Sequence, residues 1–87
     1  MIDAHTYTAS LQTANQPQPL LLDTVYNFIT IYNKNSDTIY IGDAKAQPIP
    51  ILASGSYSID IHNIPLNLAS IYWVSATAGD VIEVFYS

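Results

Sequence analysis

The sequence contains no cysteine, no arginine and few charged residues of either sign. Without cysteine, the protein has no disulfides, no thiolate chemistry and no cysteine-based zinc sites. Two lysines against seven acidic residues leave a net charge of −5. Because proteins bind the nucleic acid backbone through Lys and Arg, we expect no nucleic acid partner. Anionic membrane surfaces are disfavoured for the same reason.

Long hydrophobic runs are also missing. The longest apolar stretches, Leu20–Leu22 and Ile71–Val74, are far shorter than the roughly 20 residues that a membrane-spanning helix needs. We therefore expect no membrane insertion. The residues after Met1 lack the basic and apolar regions of a signal peptide, which predicts synthesis in a cytoplasm.

The chain is apolar for its size. Its 87 residues suit one domain. Charged residues make up only 10% and hydrophobic residues 49%, whereas about 25% charged residues is typical. Such a surface is under-charged for a free monomer, so we expect neighbouring subunits to cover part of it.

Short strand patterns separated by turn residues run along the chain, and no segment keeps a helical period. Tyr57–His62 alternates apolar and polar residues, and Val25–Asn33 is rich in β-branched and aromatic residues. Ser70–Ala76 and Val81–Tyr86 predict a hairpin. Six to seven such strands predict an all-β fold, either a small antiparallel β-sandwich or a jelly-roll-like barrel.

The N-terminal part differs in composition from the rest. Residues 1–19 predict a strand followed by a Gln/Pro linker, and residues 20–87 predict the β-sandwich domain, beginning with a short buried run at Leu20–Leu22. We interpret the first part as an extended arm that adds to a neighbour's sheet or grips a shell through main-chain hydrogen bonds. Its expected contact residues are Tyr7, Leu11, Pro17 and Pro19.

One strand offers a candidate catalytic set. Ser58, Asp60 and His62 share one face of the predicted strand, but residues two apart are about 6.6–6.8 Å apart along the backbone. A catalytic triad needs contacts of about 2.6–3.2 Å, so we predict a solvated outer face. Glu83 is predicted to be an outward carboxylate without an acid–base partner. We therefore predict no enzymatic activity.

A turn offers a candidate calcium site. Asn33, Asn35 and Asp37 place oxygens at alternate positions, as an EF-hand loop does, but Thr38 stands at its glycine position and Ala44 at its glutamate position. An ordinary turn explains the same residues.

Other metal sites are weaker candidates. A looser site formed by Asp37, Asp43 or Asp80 at a subunit interface stays an alternative. The two histidines, His5 and His62, are interpreted as polar strand positions. We predict no metal and no cofactor.

Aromatic residues occupy both faces of the predicted strands. A sandwich buries only one face of each sheet, so apolar second faces indicate a protein interface, where Tyr, Trp and Phe are enriched. The predicted interface residues are Tyr26, Phe28, Tyr32, Ile71 and Trp73. Loop-covered core is the alternative explanation.

The stretch from Val25 to Tyr86 resembles small β-sandwich modules of bacteriophage virion proteins, such as decoration (cement), head-fibre and spike proteins. The resemblance lies in a strand ending at Asn33, a short strand Ile39–Gly42, an alternating strand Tyr57–Ile61 after a glycine turn, a segment Leu68–Ala76, and the Gly79–Asp80 turn into the last strand. It implies a homo-oligomer, with a trimer favoured and a pentamer possible, fixed to a capsid lattice without catalysis.

These observations predict a virion structural protein, such as a capsid decoration, vertex or spike-base subunit that self-assembles and binds the major capsid protein or another virion protein. The expected location is the virion. An alternative is a carbohydrate-binding or host-adhesion module that uses Trp73 and Tyr side chains as stacking platforms. A small hydrolase using Ser58 is the least favoured hypothesis.

Overall fold

The structure is a computed structural model that describes residues 4–62 and 65–87. Within these ranges the chain forms ten strand segments and one short 3-10 helix, Leu68–Ser70. The strands are β1 His5–Ser10, β2 Gln18–Pro19, β3 Thr24–Val25, β4 Phe28–Asn33, β5 Ile39–Gly42, β6 Ile49–Ile51, β7 Ser56–Asp60, β8 Leu66–Asn67, β9 Tyr72–Val74 and β10 Val81–Tyr86. The all-β prediction is confirmed. The strands outnumber the six or seven predicted because three of them span only two residues.

The strands form two four-stranded sheets and one small two-stranded sheet, and every pairing is antiparallel. Sheet 1 has the order β1-β10-β4-β7, sheet 2 has the order β2-β9-β5-β6, and β3 pairs with β8. The last strand, β10, therefore lies inside sheet 1, between the first strand and β4.

A single hydrophobic core joins the two larger sheets. Alternation places every second residue of a strand on the inner face, and in β10 these are Ile82, Val84 and Tyr86. Each buried Ile, Val or Leu side chain contributes about 1.5–3 kcal/mol relative to exposure, so the core is the main source of stability. It consists of Leu11, Leu20, Val25, Ile29, Ile31, Ile39, Ile41, Ile51, Leu68, Trp73, Ile82, Val84 and Tyr86.

The N-terminal segment belongs to the sandwich, which corrects the predicted arm and the boundary between residues 19 and 20. β1 pairs with β10 over its full length, and Gln18 and Pro19 pair with β9. Leu11 lies in the core at 2% exposure. Alternate residues of β1, together with Leu11 and Leu20 on either side of the Gln/Pro segment, pack into the protein's own core. The N-terminal segment therefore needs no neighbour's sheet to bury its apolar side chains.

The predicted hairpin between Ser70–Ala76 and Val81–Tyr86 is wrong. β9 pairs with β2 and β5 in sheet 2, whereas β10 pairs with β1 and β4 in sheet 1. The turn at residues 77–80 therefore crosses from one sheet to the other. Trp73 and Ile82 both reach the shared core through this arrangement, one from each sheet.

The predicted strand Val25–Asn33 is interrupted at Tyr26 and Asn27. The backbone N–H groups of Tyr26, Asn27 and Phe28 all donate to the carbonyl of Ser87, at 3.1, 2.8 and 3.4 Å. This convergence turns the chain between β3 and β4.

The predicted buried run Leu20–Leu22 is also only partly correct. Leu20 is buried, while Leu21 is 50% and Leu22 is 78% exposed.

Candidate functional site

The outer face of sheet 1 is the side of the sheet that points away from the core, and two adjacent strands give it its aromatic character. Phe28 and Tyr32 come from β4, and Phe85 comes from β10. The rings of Phe28 and Phe85 lie 5.4 Å apart in a tilted arrangement. Tyr32 is exposed and the two Phe side chains are half-buried, so all three are in part accessible to solvent.

A shallow depression of about 310 Å³ lies on this outer face. Its lining residues are Thr6, Tyr32, Lys34, Glu83 and Phe85. The Lys34 ammonium is 5.8 Å from the centre of the Tyr32 ring and 4.0 Å from a carboxylate oxygen of Glu83. The depression therefore combines two aromatic rings, a residue type enriched at protein interfaces, with one solvent-exposed ion pair.

Of the five predicted interface residues, two are exposed, two are half-buried and one is buried. Tyr26 is 50% exposed, Tyr32 is 39% exposed, and Phe28 is half-buried on the outer face. Ile71 is half-buried and packs against the core. Whether these residues meet a partner stays a prediction.

The predicted interface position of Trp73 is wrong. Its side chain is fully buried at 0% exposure, between the two sheets. The residues Tyr72 and Val74 are the ones on the outer side of β9, since they alternate with Trp73 and keep partial exposure. Trp73 therefore offers no stacking platform for a sugar, which removes one support of the carbohydrate-binding alternative.

The four predicted arm contacts divide into two pairs. Tyr7 and Leu11 face the protein's own interior: the Tyr7 hydroxyl accepts a 2.8 Å hydrogen bond from the Leu21 N–H. Burial raises the pKa of Tyr7. Pro17 and Pro19 stay exposed and line a depression of about 200 Å³ with neighbouring Gln and Thr residues.

Several exposed apolar residues were missed by the sequence analysis. They are Leu21, Leu22, Tyr40 and Leu52. A signal was present for the first two, because three consecutive leucines in an extended segment cannot all point to one side.

The residues of the candidate calcium site, Asn33, Asn35 and Asp37, instead form a hydrogen-bonded cluster, here called the Asn33 clamp. The buried Asn33 side-chain amide donates to the carbonyls of Asp37, Ile51 and Leu52 at 2.8, 2.9 and 3.2 Å. Its oxygen accepts from the backbone and side-chain N–H groups of Asn35. Asn35 in turn exchanges two hydrogen bonds with the backbone of Val81. These side chains are committed to holding loops together, as expected for a turn.

Asp37 and Asp80 lie close together in this region. One oxygen of Asp80, Oδ2, is buried without a hydrogen-bond partner among the described residues. Burial, and then the nearby Asp37, raise the pKa of Asp80, while the Ser75 hydroxyl partly offsets this effect. Asp43 instead accepts hydrogen bonds from the backbone of Lys45 and Ala46. Across residues 4–62 and 65–87, no three His, Asp or Glu side chains are grouped to share a metal ion.

The catalytic candidates do not form a triad. The Ser58 hydroxyl is 3.1 Å from that of Thr30, while Asp60 and His62 form a highly exposed pair at 3.6 Å. The His5 ring packs against the Tyr86 ring, with 5.3 Å between the ring centres. Glu83 points outward beside Lys34.

Comparison with known proteins gives no family: no protein family and no curated protein matches this chain. In the described ranges, no helix has the length and apolar character needed to cross a membrane.

Proposed function

We propose that this protein is a non-catalytic assembly module of a virus particle, which binds copies of itself and a virion protein through the outer face of sheet 1. The observation that carries the proposal is the aromatic set on two adjacent strands, in which Tyr32 is exposed and Phe28 and Phe85 are half-buried. Aromatic side chains are the residues that supply most of the binding energy in protein interfaces.

The charge distribution supports the same proposal. The chain has only two lysines. The ammonium of one of them, Lys34, lies over the Tyr32 ring and beside the Glu83 carboxylate. Lys34 and Glu83 carry opposite charges and add no net charge to the outer face, so this pair does not repel a second copy of the chain. The resemblance to phage decoration and spike modules supports the virion setting and a partner in the capsid shell.

A matched pair of surface substitutions tests the proposal. Tyr32→Glu adds a charge on the outer face of sheet 1, and Tyr40→Glu adds the same charge on sheet 2 at similar exposure. We expect the wild type to sediment as an oligomer at micromolar concentration and Tyr32→Glu to shift it to a smaller species. Tyr40→Glu should keep the oligomer. A monomeric wild type would remove the proposal's basis.

The virion setting has its own test. Mass spectrometry of purified particles should detect the chain at a fixed ratio to the major capsid protein. Stripped shells should bind the purified wild type and lose most of that binding for Tyr32→Glu. Equal binding of both proteins would place the shell contact elsewhere.

A second candidate function is glycan binding, and the depression beside Tyr32 is the observation that favours it. An aromatic ring stacks on the apolar face of a sugar, while the Thr6 hydroxyl, Lys34 and Glu83 offer hydrogen bonds to sugar hydroxyls. A glycan array should then give signals that Tyr32→Ala abolishes and Tyr40→Ala retains. An array without signal would remove this candidate.

A further inference from the structure

The free edges of the two sheets are protected unequally. An edge strand presents unpaired N–H and C=O groups, and proteins block such edges with proline, lysine, bulges or short strands. In sheet 2, β6 contains Pro50, and β2 is only two residues long and ends in Pro19. Proline has no N–H to offer a partner strand.

One end of the β1 edge of sheet 1 is capped by a side chain. The Gln18 amide donates from Nε2 to the Ser10 carbonyl at 2.9 Å, and its Oε1 accepts from the Gln12 N–H at 3.0 Å. A primary amide carries the same donor and acceptor as a peptide group, so Gln18 occupies the place that an incoming strand would take.

The β7 edge has no such protection. Its five residues contain no proline and no lysine, and their register with β4 runs without a bulge. Among the described residues, no strand pairs with the outer edge of β7. In the two larger sheets, both edges of sheet 2 are thus blocked and the β1 edge is capped at one end, whereas the β7 edge has no such device.

The hydrogen bonds at both ends of β7 identify the groups that are free. The backbone N–H of Asn33 donates to the Gly55 carbonyl, and the backbone N–H of Ile61 donates to the Asn27 carbonyl, both at 2.9 Å. Since antiparallel pairing alternates along a strand, the odd-numbered residues of β7 bond to β4. The N–H and C=O groups of Ser56, Ser58 and Asp60 therefore point away from the sheet.

We propose that β7 pairs antiparallel with β7 of a second copy of this chain, about a two-fold axis at Ser58. In this register Ser58 lies opposite its own copy, and Ser56 lies opposite Asp60 of the second copy. Each of the three pairs exchanges two main-chain hydrogen bonds. The strand is thus complementary to itself.

Side chains and charge favour the same register. Tyr57 lies opposite Ile59 of the second copy, and both side chains are only partly buried in one chain. Aromatic and β-branched residues are a favourable cross-strand pair. The two Asp60 carboxylates are four residues apart along the strands, roughly 13 Å, so like charges do not meet.

The pairing gives a closed assembly. A two-fold contact uses the same strand of both copies, so it is fully occupied once two copies have bound. The continuous sheet then has eight strands and ends at β1 on each side, where Gln18 blocks the Ser10–Gln12 part of the edge. Growth into a filament is thereby opposed.

This contact rests on the proposed self-association but uses a different surface from the outer face. The test is Ser58→Pro, which removes an N–H that has no partner among the described residues and places the proline ring on the free edge. Ser58→Ala controls for the hydroxyl. Thr8→Pro is the matched control, because the bond from Leu11 N–H to the Asp80 carbonyl fixes Thr8 as an outward position of β1.

Sedimentation and amide exchange give the result. We expect the wild type, Ser58→Ala and Thr8→Pro to contain a species of twice the 9.6 kDa chain mass, and Ser58→Pro to lose that doubling with near-UV circular dichroism unchanged. In the wild type, the Ser58 amide should exchange at least about tenfold more slowly at high concentration than after dilution. If Ser58→Pro does not fold, this amide measurement on the wild type alone decides the proposal.

Three outcomes overturn the edge pairing. A Ser58 amide that exchanges fast at every concentration excludes it. Dissociation by Thr8→Pro but not by Ser58→Pro assigns the contact to β1. Dissociation by Tyr32→Glu with Ser58→Pro unaffected refutes the edge pairing while supporting the outer-face proposal, and a monomeric wild type refutes both.

Discussion

The phenol of Tyr86 donates a 2.6 Å hydrogen bond to a carboxylate oxygen of Asp23. This bond ties the last residue of β10 to the segment that precedes β3. The hydrogen bond to Asp23, together with burial, raises the pKa of Tyr86 to about 12. The same bond is the main reason why the pKa of Asp23 lies below its usual value.

The first prediction concerns alkaline stability. A raised folded-state pKa means that the unfolded chain loses its proton first as pH rises. The unfolding free energy should therefore be steady below the ordinary tyrosine pKa of about 10 and fall as pH rises toward about 12. Tyr86→Phe should be less stable than wild type at pH 8 and should lose less stability over this window. Urea unfolding from pH 8 to 12 measures both effects.

The control for this prediction is Tyr40→Phe, which alters an exposed tyrosine. It should keep the wild-type alkaline profile. Some alkaline loss should remain in Tyr86→Phe, because burial also raises the pKa of Tyr7. An unchanged profile in Tyr86→Phe would show that the bond to Asp23 is not maintained in solution.

The second prediction concerns the acidic pair Asp37 and Asp80. Because the pKa of Asp80 is raised in the fold, its protonated form stabilises the protein at low pH, and this contribution is lost as pH rises through the raised value. Asp80→Asn mimics the protonated acid and should raise the melting temperature at pH 7 by a few degrees. The gain should shrink below the ordinary value of 3.8.

Asp43→Asn is the opposite-sign control, because hydrogen bonds from Ala46 and Lys45 lower the pKa of Asp43. Its charged form is favoured, so its substitution should not stabilise the protein at pH 7. Thermal melts at pH 7 and pH 3 compare the variants. A lower melting temperature for Asp80→Asn at pH 7 would contradict the proposed cost of the unpaired Asp80 oxygen.

The third prediction concerns the Asn33 clamp. Asn33→Ala removes donors to three carbonyls, including that of the buried Ile51. A buried polar group left without a partner costs about 1–3 kcal/mol. In a domain of this size, each kcal/mol lowers the melting temperature by roughly 4–8 °C. Ser36→Ala, an exposed position in the same turn, should change little. Equal melting temperatures for both variants would refute the clamp.

The fourth prediction concerns Trp73. Trp73→Ala in a fully buried site should cost about 3–5 kcal/mol. Trp73→Phe should cost less, since the indole N–H has no hydrogen-bond partner among the described residues and its loss breaks no bond. Trp73 fluorescence should resist quenching by acrylamide. Strong quenching in the folded protein would place the indole at the surface.

The elements that the sequence predicts best are those with a local signal. Alternation locates β7, because a residue's side of the sheet follows from its position in the strand, and a run of β-branched and aromatic residues locates β10. Pro50 has no N–H for the ladder of a central strand, and its strand β6 lies at an edge of sheet 2.

The errors share one physical cause. Local patterns show that a segment is extended but do not determine which strand it pairs with, since pairing depends on long-range packing. The turn at Thr77–Asp80 resembled a hairpin turn, yet it joins different sheets. Trp73 was counted as surface because its neighbours Tyr72 and Val74 are equally apolar, and only the packing of the two sheets decides which side is inside.

The central position of β10 in sheet 1 has a consequence for how the protein acquires its structure. β1 and β4 do not pair with each other, and both pair with β10. During synthesis, β1 emerges long before β10 exists, so sheet 1 cannot form progressively from β1 onward. Sheet 1 should therefore form only after β10 has been made, and ribosome-stalled chains lacking Val81–Tyr86 should remain sensitive to protease.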